Sequence, residues 1–179
     1  LNADEKMSAY RFEGYWKDVG TLDSLWDANM DMLAQGSGLN LLDKDWPIYA
    51  RAESEPPAYL GETAEVDHSV VTRGSEVEGA VRNSVLSQRC TVAEGAEVEY
   101  SILMPGAVVK AGADVSYAIV AENAVIEANA QNARVGASPE AAPPEEWGIT
   151  VVGPEAQVEA GRTLKANRML NREGKETVR

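Results

Sequence analysis

From Val81 onward, aliphatic residues recur every five or six positions, and a small residue precedes each by two. VRNSVLSQRCTVAEGAE, VEYSILMPGAVVKAGAD and VSYAIVAENAVIEANAQ are of equal length and align without gaps. Within them the pairs are Ser84/Leu86, Cys90/Val92, Ala96/Val98, Ser101/Leu103, Ala107/Val109, Ala113/Val115, Ala118/Val120 and Ala124/Ile126. The unit continues upstream in Ala64/Val66, Ser69/Val71, Ser75/Val77 and Gly79/Val81, and downstream in Ala133/Val135, Thr150/Val152 and Ala156/Val158. Neither an α-helix nor a coiled coil has this period. A three-sided prism does. Each side takes one short strand whose aliphatic residue points inward, and the small residue two earlier, on the same face, fits the corner. Gly74, Gly95, Gly106, Gly112 and Asn123 fall where the corners turn. Three ungapped repeats disfavour the alternative, a sandwich of short alternating strands.

The pattern breaks at residues 137–150, ASPEAAPPEEWGIT, whose prolines and acids predict a loop leaving the prism before a last coil. Stacked coils leave open sheet edges, and the final segment, RTLKANRMLNREGKETVR, is suited to cap one end. The hexapeptide pattern resembles the left-handed parallel β-helix family. That resemblance supplies the hand, since general crossover rules favour the other one.

The segment up to Gly38 is different in kind. Ala9-Tyr10-Arg11-Phe12 reads as a strand, Glu13-Gly14 as a turn, and GYWKDVGT leads into a helix. Thr21 is its expected N-cap and Asp23 suits the positive first turn. Leu22, Leu25, Trp26, Asn29 and Leu33 share one face, and Gly36 and Gly38 end the helix. The expected domains are therefore 1–38 (strand, turn, helix), a linker over 39–60, the β-helix over 61–160 with a loop at about 137–148, and a tail over 161–179.

GYWKDVGTLDSLWDANMDML, then LLDKDWPIY, then PPAYL leading into hexapeptide repeats, resembles the C-terminal part of glucose-1-phosphate adenylyltransferase over residues from about 9 to about 135. The resemblance implies a mainly β chain preceded by the remnant of an α/β nucleotidyltransferase domain. It implies a parent enzyme of glycogen synthesis that makes ADP-glucose and pyrophosphate from ATP and glucose 1-phosphate, with Mg²⁺. It further implies a β-helix serving assembly into a homo-oligomer (dimer or tetramer), control by anionic metabolite effectors, and a cytoplasmic setting. Carried over by motif, Asp18 falls on the family's metal-binding, catalytic aspartate, and Trp16 beside it near the sugar pocket. The chemistry agrees, because two anionic substrates meeting at phosphorus need a cation to offset charge. Taken alone, Asp18 reads as a turn or capping aspartate. The family's Gly-rich phosphate-cradling loop has no counterpart among Gly14, Gly20, Gly36 and Gly38. The chain is expected to lack the catalytic core and to be inactive alone.

Charge and composition narrow the alternatives. Sixteen basic and twenty-nine acidic residues give a net charge of −13, which disfavours nucleic acid and anionic membranes. No apolar run is long enough for a membrane span. Cys90, the single cysteine, occupies an inward slot and reads as core. His68, the single histidine, is the candidate general base under a second reading, a stand-alone hexapeptide-repeat acyltransferase. A third reading is a non-catalytic β-helix scaffold. Arg162, Lys165, Arg168 and Arg172 are three or four residues apart, and on a helix they would line one face. They are the candidate anion-effector site, set against a solvated capping segment. Val108, Ile102, Ile119 and Val125 are expected to form an apolar surface on one face of the rod, suited to oligomer contacts.

Overall fold

The computed structural model describes residues 6–41, 43–49, 54–128, 132–141 and 145–179. Short strands wind into a left-handed β-helix of about six coils, forming three parallel sheets that make the sides of a prism. The first side stacks Tyr59–Leu60, Glu76–Val77, Thr91–Val92, Val108–Val109, Val125–Ile126 and Gln157–Val158. The second stacks Glu65–Asp67, Ala80–Arg82, Glu97–Glu99, Asp114–Ser116, Arg134–Val135 and Thr163–Leu164. The third stacks Val70–Val71, Val85–Leu86, Ile102–Leu103, Ala118–Val120, Thr150–Val152 and Arg168–Leu170.

The sequence period sets this register. Val92 pairs with Val109, and Val109 with Ile126, so aliphatic residues one repeat apart stack directly. They build one continuous core from Val77 to Leu170, interleaved with Cys90, Ala96, Ala107, Ala113 and Ala124 at the corners. At the first coil, which has a neighbour on one side only, Val66 remains 36% exposed. One coil is shorter: the step from Glu76 to its partner Thr91 spans less chain than the step from Thr91 to Val108. The corner at Gly79 takes up the difference. A side chain there would collide with the carbonyl oxygens of Ala96 and Ala93, so the tight corner requires glycine.

Buried serines bind successive coils at another corner. Ser84 Oγ accepts from the Ser101 amide at 3.1 Å, and Ser101 Oγ accepts from the Ala118 amide at 3.1 Å. Each hydroxyl also donates to a carbonyl of its own coil, Ser84 to Arg82 and Ser101 to Glu99, both at 2.7 Å. A small polar residue thereby satisfies buried amides that the strands leave out.

The prism starts at Tyr59, inside the expected linker, and runs to Leu170, inside the expected tail. Leu164 and Leu170 are six apart and fully buried, so the inward period continues there. For that reason the segment with Arg162, Lys165, Arg168 and Arg172 folds as strands and corners, and the alignment of these cations along one helix face is not realised. Glu176–Val178 then turns back and pairs antiparallel with Arg168–Leu170, capping the third sheet at its end. Residues 9–12 form no strand. Tyr10 and Phe12 are exposed, and an extended segment without a hydrogen-bonded neighbour is not a strand.

Helix α1 (Leu22–Met30) starts at Thr21, whose hydroxyl accepts from the Ser24 amide while the Ser24 hydroxyl accepts from the Thr21 amide. It ends at Met30, several residues before Gly36, with Asp31 as C-cap. Its apolar side, Leu22, Leu25, Trp26 and Met30, packs on the outer surface of the third prism side against Ile102, Ile119, Val151 and Met169. Hence Ile102 and Ile119 are covered by α1. They do not share a face with Val108 and Val125, which point outward from the first side, so the single apolar surface expected from the sequence is not formed.

Candidate functional site

The site resides at the junction of the N-terminal segment with the prism. At one corner, His68, Asn83, Tyr100 and Tyr117 all adopt a left-handed backbone (φ 44–50°). The Asn83 amide donates to Asp67, Tyr100 to Arg82 and Tyr117 to Glu99, which stacks these residues coil on coil. The Tyr100 and Tyr117 rings lie 4.8 Å apart at 16°, a separation that favours aromatic pairing. Trp26 of α1 packs 6.0 Å from Tyr117, and Trp147 meets Tyr117 edge-on at 5.8 Å. Trp147 also donates to the Ala137 carbonyl at 2.9 Å, pinning the base of the inserted loop. Burial pushes the Tyr117 phenol up from its ordinary value. At the far end of the chain, Arg179 pairs with Asp23 in the first turn of α1 and donates to the Ile149 carbonyl at 3.1 Å. Helix α1 is therefore joined to the prism by Trp26 on Tyr117 and, through Asp23, by Arg179.

Residues before α1 alternate. Tyr15 Oη donates to Asp31 at 2.8 Å, and Lys17 Nζ lies 2.6 Å from Asp31 and 2.5 Å from Asp27. Hydrogen bonds to Asp27 and Asp31 push the Lys17 ammonium up to about 12, and Lys17 and Tyr15 hold the Asp31 carboxyl low. Trp16 and Asp18 are exposed, Trp16 at 76%. Among the described residues no group of three or more His, Cys, Asp and Glu side chains is placed to hold a metal. Asp18 offers one accessible carboxylate, which fits the one or two protein ligands Mg²⁺ takes alongside substrate phosphates.

The other sequence candidates lie elsewhere. His68 is exposed, with Nδ1 2.8 Å from Asn83 Oδ1. Cys90 is fully buried, and burial pushes its thiol up to about 11, the wrong direction for a nucleophile at neutral pH. The four C-terminal cations are split. Arg162 and Arg168 reach Glu176 at 3.4 and 3.8 Å, and Arg172 reaches Glu155 at 2.8 Å. Lys165 and Arg168 line a cavity of about 540 Å³ between the inserted loop and the terminal strand, with Glu145 and Glu146 on the loop side. Sequence reasoning missed Tyr100, Tyr117, Trp147 and Arg179. The tyrosines carried a signal, since they recur one full repeat apart, each just before a small buried residue. No local pattern marks Arg179.

Known families match the two parts separately. Residues 57–153, more than half of the chain, match the family described as GlmU-like, C-terminal hexapeptide, and residues 1–35 match the nucleotidyl transferase family. The glucose-1-phosphate adenylyltransferases of Bacillus thuringiensis (strain Al Hakam) and Bacillus anthracis are each 51% identical to it over 105 residues, which is 59% of this chain and 28% of theirs. The chain thus covers less than a third of the length of these relatives. Among solved structures, a mutant perosamine N-acetyltransferase from Caulobacter crescentus, in complex with CoA and GDP-perosamine, superposes with a TM-score of 0.53 at 14% identity, covering 69% of this chain and 54% of that one. At that identity the likeness concerns the fold. Among the described residues no helix is long and apolar enough to cross a membrane.

Proposed function

The chain belongs to the GlmU-like C-terminal hexapeptide family, and from that premise we propose that it is the C-terminal assembly and regulatory module of a glucose-1-phosphate adenylyltransferase. The observation that carries this reading is the junction. A segment matching nucleotidyl transferases over residues 1–35 is packed through α1 onto a hexapeptide prism matching over 57–153, and relatives 51% identical over 105 residues are glucose-1-phosphate adenylyltransferases. The activity proposed for the whole enzyme is formation of ADP-glucose and pyrophosphate from ATP and glucose 1-phosphate, in glycogen synthesis in the cytoplasm.

In that enzyme Asp18 would hold Mg²⁺, which when bound offsets negative charge on the reacting phosphates. Trp16, two residues away on the same exposed side, would flank the sugar. Lys165 and Arg168, on the cavity wall, would attract an anionic metabolite effector, with Arg162 and Arg172 as nearby cations. Val108 and Val125, half-buried and pointing outward from the first prism side, suit contact with a second subunit in a dimer or tetramer.

The test is pyrophosphate release by the full-length gene product. Release that requires ATP, glucose 1-phosphate and Mg²⁺ together, and that residues 1–179 alone do not perform, is the expected result. Absence of that release, with acyl transfer from an acyl-CoA that depends on His68, would replace this reading. Arg168→Ala should weaken activation by sugar phosphates, and unchanged activation would remove Arg168 from the effector site.

A further inference from the structure

Residues 15–18 run alongside α1 with alternate side chains facing opposite ways, as extended backbone requires. Tyr15 and Lys17 face the helix, where Asp27 and its neighbour one turn on, Asp31, receive them. Trp16 and Asp18 face away into solvent. We propose that Lys17 is a positioning residue for Asp18 and Trp16: its ammonium, held by Asp27 and Asp31, fixes the direction in which the metal-binding carboxylate and the sugar-flanking indole project. The inference rests on the adenylyltransferase reading of Asp18.

Three observations support it. First, Lys17 lies between the two residues it orients, so any rotation of the segment about its own axis must break the Asp27 or Asp31 contact. Second, α1 is itself held, by Trp26 on the tyrosine corner and by Arg179 on Asp23. The direction of Asp18 is thereby referred to the rigid prism. Third, Lys17 Nζ reaches two carboxylates at once, Asp31 at 2.6 Å and Asp27 at 2.5 Å, and so is held from two sides. Partly exposed ion pairs add little to stability, whereas misplacing a reacting group by about 1 Å costs on the order of 100-fold in rate. Mg²⁺ makes the demand stricter, because it tolerates little departure from octahedral geometry.

The experiment uses the full-length enzyme with ATP and glucose 1-phosphate while Mg²⁺ is titrated. Lys17→Met should lower kcat by about 10-fold or more and raise the half-saturating Mg²⁺ concentration, with KM for ATP within about two-fold and an unchanged melting temperature. Lys17→Arg, which keeps the cation, should recover most of the activity. Asp27→Asn, which removes one of the two partners at constant shape, should move kcat and Mg²⁺ dependence in the same direction by less, and it decides the matter if Lys17→Met does not fold. An active parent, an inactive Asp18→Asn, and Lys17→Met and Asp27→Asn both within about two-fold of the parent would overturn the positioning role alone. Asp18→Asn with full activity would remove the adenylyltransferase reading of the site, and this inference with it.

Discussion

The indole N–H of Trp26 donates to the carbonyl oxygen of Tyr100 at 2.7 Å, across 74 positions of sequence. Tyr100 is a corner residue with φ 44°, and that corner turns its carbonyl toward α1. The bond is the polar centre of an otherwise apolar contact between Leu22, Leu25 and Met30 on the helix and Ile102, Ile119 and Val151 on the prism. A nine-residue helix is too short to persist alone in water, so this contact is what keeps it folded.

Trp26→Phe retains most of the buried ring and removes the donor, and should cost about 1 kcal/mol. Trp26→Ala also removes the packing against Tyr117 and should cost about 3 kcal/mol or more. Urea unfolding followed by circular dichroism, with hydrogen exchange on α1, reads both. Equal losses in the two variants would show that the ring's packing carries no separate share, and a Trp26→Phe variant as stable as the parent would show that the hydrogen bond carries none.

Ser101→Ala should destabilise the prism by about 1–3 kcal/mol, because it leaves the Ala118 amide buried without an acceptor. Ala107→Ser, which places a hydroxyl in an equivalent inward slot, serves as the control for polarity. Chemical denaturation measures the difference. A Ser101→Ala variant as stable as the parent would mean that another group accepts from that amide.

Cys90 should react with a disulfide reagent at pH 8 only as fast as the prism unfolds. The side chain is fully buried and the thiol is pushed up to about 11 by burial. The expected rate is therefore independent of reagent concentration once the reagent is in excess. A rate proportional to reagent would show access in the folded state.

The Lys17–Asp31 junction should respond to pH in opposite senses at two extremes. The Asp31 carboxyl is lowered by Lys17 and Tyr15, so its contribution is present above the ordinary aspartate value of about 3.9 and is lost as pH falls through its folded value. The Lys17 ammonium is raised by Asp27 and Asp31, so its contribution is complete below its ordinary value of about 10.4 and is lost as pH rises through about 12. NMR titration of the Asp31 carboxyl carbon and the Lys17 ε-carbon should place the two midpoints outside the ordinary values on either side. An Asp31 midpoint at or above 3.9 (about the unperturbed value) would contradict the contact.

Much of this protein was legible without coordinates. The small-x-aliphatic unit, repeated at a fixed period, determined the prism, the stacking register and the inward set from Val77 to Val158, because hexapeptide spacing and strand alternation are local properties of the chain. Thr21 as N-cap and the apolar spacing of Leu22, Leu25 and Trp26 likewise determined where α1 starts and which side it buries. What the helix buries that side against was not local. Ile102 and Ile119 stand beside inward Leu103 and Val120, and a sequence of two adjacent aliphatic residues is compatible with an exposed face, a subunit contact or a docked helix. Only the tertiary structure chose the helix.

The C-terminal cations show the same division. Their three- and four-residue spacing satisfies a helix as well as it satisfies strands and corners, and the choice went to the prism because Leu164 and Leu170 could join an existing core. Tertiary structure also decided that Arg179 meets Asp23, 156 positions earlier in the sequence. Contacts between residues so far apart leave no periodic trace in sequence. They arise when independently determined elements are brought together, and here those elements are a prism with one apolar outer side and a short helix with one apolar face.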